Sequence, residues 1–206
     1  MVFLLILNQI LLLCIMVRFK IIYKYLDKSC LENYHLAEAF KILKQPNRNI
    51  FEKLEPNDYK LMRKRVIEGV LATDMMAHSK LVGVMTSRLF LQYKEADKPL
   101  SLSQLLDENK ELNKIEIQQD YINFIIHAVD IGHAAKPFEL EVKWADLVTK
   151  EFHNQGDKEK ELSLPISFLC DREKVELESS QIGFINGIVL PFALPFQELF
   201  PELEIL

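Results

Sequence analysis

From Cys30 onward apolar residues return every third or fourth position, and no stretch sustains a period of two, so the pattern predicts helices and no strands. The clearest helix runs from about Asp58 to His78, with Met62, Val66, Ile67, Val70, Leu71 and Met75 as an apolar stripe opposite Arg63, Lys64 and Glu68. A second, about Lys114 to Ile131, carries Ile115, Ile122, Ile125, Ile126 and Val129; a third, about Glu139 to His153, carries Leu140, Trp144, Leu147 and Val148. Pro137 separates these two and suits a first helical turn, whereas the polar run Gln155 to Lys160 ahead of Pro165 predicts a loop. Ser179 to Leu190 is apolar on nearly every side, and Gly183 and Gly187 stand one turn apart. That predicts a core helix closely approached by another and ended or kinked at Pro191. The expected fold is all-α, with the charged stretch Leu91 to Asn113 as a connection inside one domain.

Composition narrows the partners. The 206 residues are 49% apolar, enough for a sizeable core. Twenty-five basic against 30 acidic residues leave a net charge of −5 without a basic patch, which argues against nucleic acid. Cys14, Cys30 and Cys170 spell neither a metal clip nor a disulfide framework, so a reducing, cytoplasmic setting is expected.

Met1 to Val17 is apolar except for Asn8 and Gln9 and is followed by Arg18 and Lys20. A membrane anchor, a signal peptide and a buried core helix all remain open for it. Its length is at the lower limit for ~30 Å of hydrocarbon. A signal peptide would carry its basic residues ahead of the apolar run. We treat residues 1–24 as a hydrophobic segment able to touch a membrane and residues 25–206 as the folded domain.

Three segments pair an acid with an imidazole at helical spacing: Glu32 with His35, Asp74 with His78, and His127 with Asp130. Each pair alone is as well explained by a hydrogen-bonded structural contact, because a catalytic zinc takes three protein ligands plus water. Their recurrence strengthens the case for chemistry. Gln181 and Phe184, three apart on the apolar last helix, combine an amide with an aromatic face, as a purine pocket requires; for Phe184 alone core packing is the preferred reading, and Gln181 is the more informative member.

Taken in order, LENYHLAEAF, VIEGVLATDMMAH, HAVDIGHAAKP, KWADLVTKEFHNQGDKEKELSLP and SSQIGFINGIVLP resemble the motifs of class I 3′,5′-cyclic-nucleotide phosphodiesterases, over roughly Tyr25 to Leu203. The wording is closest to the calmodulin-regulated subfamily, but no calmodulin-binding segment is visible. The resemblance implies a compact multi-helix bundle holding zinc and a second divalent ion, magnesium or manganese. It also implies hydrolysis of cyclic AMP or cyclic GMP to the 5′-monophosphate in signal transduction. Residue by residue, Asp130 matches a direct metal ligand. Glu32, His35, Thr73 and Asp74 match positions that hold metal-bound waters, and His127 matches a histidine beside the metal aspartate. Gln181 matches the purine-selective glutamine, Phe184 the stacking aromatic, Val148 and Phe152 the opposite wall, and Met75 the metal side of the pocket. His133 and Ala134 stand where the family often has Asn-Pro or His-Pro.

The HNxxHA-like and HD motifs, which supply the family's catalytic acid, two zinc histidines and bridging aspartate, do not occur in this sequence, and no His precedes His35. The expectation is therefore a phosphodiesterase chain that starts downstream of those motifs and is inactive alone. The alternatives are a catalytically dead nucleotide binder, or a membrane-tethered or purely structural helical protein.

Overall fold

The computed structural model describes residues 28–95 and 115–200; residues 1–17, for which a membrane segment was considered, lie outside them. The described residues are helical, without strands, as the all-α expectation requires. They separate into two compact units, a smaller one spanning His133–Gly187 and a larger one made of Leu31–Gly132 and the chain from Ile188 onward.

The larger unit contains α1 (Cys30–Leu43, starting at its edge), α2 (Pro56–Leu71), a short 3-10 turn (Met75–Ala77), α3 (His78–Glu95) and α4 (Ile115–Ile131). Pro56 opens α2 at a position where a missing N–H costs nothing. Helices α2 and α3 both pack on α4. The approach of α2 is possible because Gly69 has no side chain: a Cβ there would lie 2.7 Å from Ile126 Cδ1. Arg65 bonds to Gln118 and Arg88 to Asp120, and the Arg63 guanidinium sits 3.9 Å over the Phe40 ring. The buried centre holds Met85, Leu89, Phe124 and His127.

The smaller unit contains a 3-10 turn (Gly132–Ala135), α5 (Phe138–Glu161) and α6 (Leu177–Phe184), with α5 packed on α6. Pro137 caps α5, whose Glu139 and Glu141 at the start and Lys158 and Lys160 at the end complement the helix dipole. Helix α5 closes in a Schellman arrangement: Ser163 N–H donates to Lys160 O at 3.0 Å, and Leu164 N–H to Glu159 O at 2.9 Å, with Ser163 at φ 54°. A π-helical stretch (Ile185–Val189) and α7 (Leu190–Leu199) follow α6. The widening lies just ahead of Pro191, which has no N–H for a regular helical bond. Helix α7 belongs to the larger unit. It packs on α3 and stacks Phe192 on Phe124 at 4.1 Å.

Three sequence expectations are corrected. The Asp58 to His78 helix is broken after Leu71, because Asp74 adopts an extended backbone and its carboxylate accepts the Met76 N–H at 2.9 Å as an N-cap. Asp74 and His78 therefore do not share a helical face. Gln155 to Lys160 is the last part of α5 rather than a loop, since Gln155 and Glu159 bond to each other one turn apart and Glu159 is fully buried. Gly183 and Gly187 are exposed, and nothing described lies within 4 Å of a Cβ built at either, so among the described residues no helix approaches closely there. The helical stretch Leu177–Leu199 is long and apolar enough to cross a membrane by length and composition only.

Candidate functional site

The smaller unit forms a slot of about 90 Å³ lined by His133, Val148, Thr149, Phe152, Leu169, Val175, Ser180, Gln181 and Phe184. Each wall follows from helix geometry. Val148 and Phe152 are one turn apart on α5, as are Ser180 and Phe184 on α6, so each helix presents one face. The loop between the helices adds Leu169 and Val175. A slot this narrow admits a flat ring system rather than an entire nucleotide, whose sites run to ~300 Å³ and more.

Within it the Gln181 Oε1 is buried and has no hydrogen-bond partner among the described residues. Such an oxygen costs ~1–3 kcal/mol when nothing donates to it, so it favours any ligand that offers an N–H. Phe184 supplies a flat face, already parallel to the His133 ring at 5.3 Å and 4°. His133 Nδ1 lies 2.9 Å from Glu141 Oε2; a carboxylate accepts, so the ring nitrogen carries the proton, and Trp144 flanks the same ring at 6.3 Å.

The loop wall is held from below. Glu159, fully buried, accepts from Ser167 N–H and Ser167 Oγ, both at 2.6 Å, and from Gln155 Nε2 at 2.9 Å. Cys170 is packed against Gly156, and burial, followed by the Glu159 charge, pushes its thiol up to about 11, which keeps it an inert thiol. Arg172 chelates Asp157 and Lys160 pairs with Glu173 at 2.8 Å, tying the exposed side of the loop to α5.

The larger unit carries the remaining candidates. Glu32 projects from α1, and its carboxyl is pushed above the ordinary 4.5, first by burial and then by the Asp74 and Asp130 charges. Glu32 therefore lies within electrostatic reach of both carboxylates. Asp130 is exposed at the end of α4, and Met75 is 45% exposed on the 3-10 turn. Thr73 spends its hydroxyl on the Val70 carbonyl at 2.8 Å. Burial lowers the pKa of His35. His127 is fully buried and both ring nitrogens are used: Nδ1 lies 2.9 Å from Ala72 O and Nε2 lies 3.0 Å from His78 Nδ1. The helical spacing that places His127 and Asp130 on one side thus straddles the surface boundary, with the imidazole inside and the carboxylate out.

Among the described residues no group of three or more His, Cys, Asp or Glu is placed to hold a metal ion. These residues alone do not fit a catalytic zinc, which needs three protein ligands. The sequence reading missed His133 as a slot residue, although the phrase HAVDIGHAAKP contains it, and missed Glu141 as its hydrogen-bond partner. It also gave no role to Glu159 or to the contact between His78 and His127. An acid within a charged helical run carries no sequence sign that it is buried.

Comparison with known proteins identifies the family. The family profile described as 3′,5′-cyclic nucleotide phosphodiesterase matches residues 14–206. A probable 3′,5′-cyclic phosphodiesterase, pde-1, of Caenorhabditis elegans is 41% identical over 175 residues, which is 85% of this chain and 23% of that protein. The human dual specificity calcium/calmodulin-dependent 3′,5′-cyclic nucleotide phosphodiesterase 1B is 40% identical over 81% of this chain and 27% of its own length. The crystal structure of the phosphodiesterase domain of a RhoPDE fusion protein from the choanoflagellate Salpingoeca rosetta superimposes with a TM-score of 0.79 at 27% identity, covering 94% of this chain and 57% of that one. The chain thus spans about a quarter of the length of the curated relatives and somewhat more than half of the solved domain. It belongs to the 3′,5′-cyclic nucleotide phosphodiesterase family.

Proposed function

We propose that this chain supplies the base-recognition half of an enzyme that hydrolyses 3′,5′-cyclic nucleotides, cyclic AMP or cyclic GMP, to 5′-monophosphates. The observation that carries the reading is the buried Gln181 Oε1, without a partner among the described residues, inside a slot walled by Phe184, Val148 and Phe152. A purine edge offers the missing donor, and its ring fills the flat space against Phe184. The amide can turn over to present donor and acceptor in either order, so this geometry suits both purines.

Members of the family are metal-dependent. For the complete enzyme we propose zinc and magnesium, or manganese, with Asp130 as a ligand contributed by this chain and Glu32, His35, Thr73 and Asp74 around it. Bound there, the metals would supply an activated water and neutralise charge on the phosphoryl group. Base recognition by Gln181 and Phe184 does not pass through them.

Calorimetric titration of the 206-residue chain with 5′-AMP, 5′-GMP and the two cyclic nucleotides tests the reading. Gln181→Ala is expected to weaken binding about tenfold, the equivalent of ~1.4 kcal/mol for one buried hydrogen bond. Phe184→Ala should weaken it at least as much. Wild-type affinity in both variants would remove the slot from nucleotide recognition.

A further inference from the structure

The two buried imidazoles of the larger unit take no part in base recognition, yet their hydrogen bonds can run in only one direction. His127 is 0% exposed and His78 4%. The Ala72 carbonyl only accepts, so His127 Nδ1, 2.9 Å away, carries a proton and donates it. A neutral imidazole has one N–H, which leaves His127 Nε2 as an acceptor. His78 Nδ1, at 3.0 Å, must then be the donor. Both rings are fixed as neutral Nδ1–H tautomers, a state that burial favours for each. Phe192 closes the site, with its ring 5.8 Å from His78 and 5.4 Å from His127.

What this chain of bonds joins gives it meaning. Ala72 ends α2, His78 begins α3, and His127 lies inside α4, so three helices meet at two imidazoles. Between Ala72 and His78 runs the turn that carries Thr73 and Asp74. One turn beyond His127 stands Asp130. A pair of apolar side chains would fill the same volume, but it would leave the Ala72 carbonyl without this donor and would not fix the turn in one register.

We propose that His78 and His127 are positioning residues: their imidazole–imidazole hydrogen bond, anchored on the Ala72 carbonyl, locks the turn bearing Thr73 and Asp74 to the helix bearing Asp130. The lock follows from the geometry alone. Its consequence for the reaction rests on the family reading, in which these carboxylates surround the metals.

Nuclear magnetic resonance of the 15N-labelled 206-residue chain tests the lock without any ligand. A 15N–15N scalar coupling between His78 Nδ1 and His127 Nε2, with the Nδ1–H shift pattern on both rings, is the expected result. An Nε2–H tautomer at His127, or no coupling, overturns the proposal, and this measurement needs no variant to fold. Hydrogen exchange at the Met76 amide, which donates to Asp74 at 2.9 Å, then reads the order of the turn. His78→Leu should speed that exchange about three- to tenfold, the equivalent of one net hydrogen bond. His78→Asn, which keeps a donor at the Nδ1 position, should restore the wild-type rate. Unchanged exchange in His78→Leu, or equal acceleration in both variants, would leave the imidazoles as core filling. Nucleotide titration reads a different unit, so failure of the base slot and failure of the lock remain separable.

Discussion

Replacing Gly156 by alanine tests how the loop wall of the base slot is held. A Cβ at this position would lie 1.8 Å from the Cys170 carbonyl oxygen, 2.6 Å from its carbon and 3.2 Å from Cys170 Cβ. Close C···O contacts settle near ~3.3 Å, so the loop must retreat by about 1.5 Å. The obstacle is backbone, and it cannot rotate away as a side-chain end would. Cys170 N–H donates to Ser167 O at 3.0 Å, and Ser167 in turn donates twice to the buried Glu159 carboxylate, so the retreat pulls on that cage. Overpacking costs ~1–3 kcal/mol and a buried acceptor losing its donors another ~1–3, against roughly 1 gained by alanine in a helix. The expected net loss is about 3 kcal/mol, or a fall of roughly 6–12 °C in melting temperature for a chain of this size. Because Leu169 precedes Cys170 and lines the slot, nucleotide affinity should fall as well. Circular dichroism melting and calorimetric titration of Gly156→Ala measure both. A melting temperature equal to or above wild type, as helix propensity alone would give, with unchanged affinity, refutes the reasoning.

Two further outcomes follow from burial of titrating groups. His35, His78 and His127 are held below the ordinary 6.5 chiefly by burial, so the unfolded chain takes up protons that the folded one refuses. Their contribution is complete above 6.5 and is lost as pH falls from there through the lowered folded values, so urea midpoints should hold between about pH 8 and pH 7 and drop below about pH 6.5; a profile that stays flat below 6.5 contradicts this. Glu32 has the opposite sign: its raised carboxyl favours the fold below 4.5, and that benefit is lost as pH rises through the folded value. Glu32→Gln should therefore raise the urea midpoint near neutral pH, and a lower midpoint would show that the Glu32 charge is compensated.

Helix identity was legible from apolar spacing because α2, α4 and α5 each bury one face against a neighbour. Spacing could not show the break at Ala72 to Asp74. Apolar residues continue through it to Met75, and only the preference of an aspartate for capping distinguishes it. The end of α5 failed in the opposite way, since a run of Gln, Asp, Glu and Lys resembles a loop unless one knows that Glu159 turns inward to Ser167. In the site, Gln181 was recognisable because an amide within an apolar segment needs a partner, and Val148 and Phe152 followed from the family resemblance. The partners of His127, Ala72 and His78, could not be read from the sequence because they come from distant parts of the chain.

Leu169 holds a left-handed backbone, φ 63°, a conformation that costs a branched residue ~1–2 kcal/mol and suits glycine. Its side chain is also part of the slot wall. Glycine at 169 would relax the backbone and open the wall, whereas any larger residue would keep the wall and the strain. Stability and recognition are thus set against each other at one position, and the wild-type leucine gives up some of the first to keep the second.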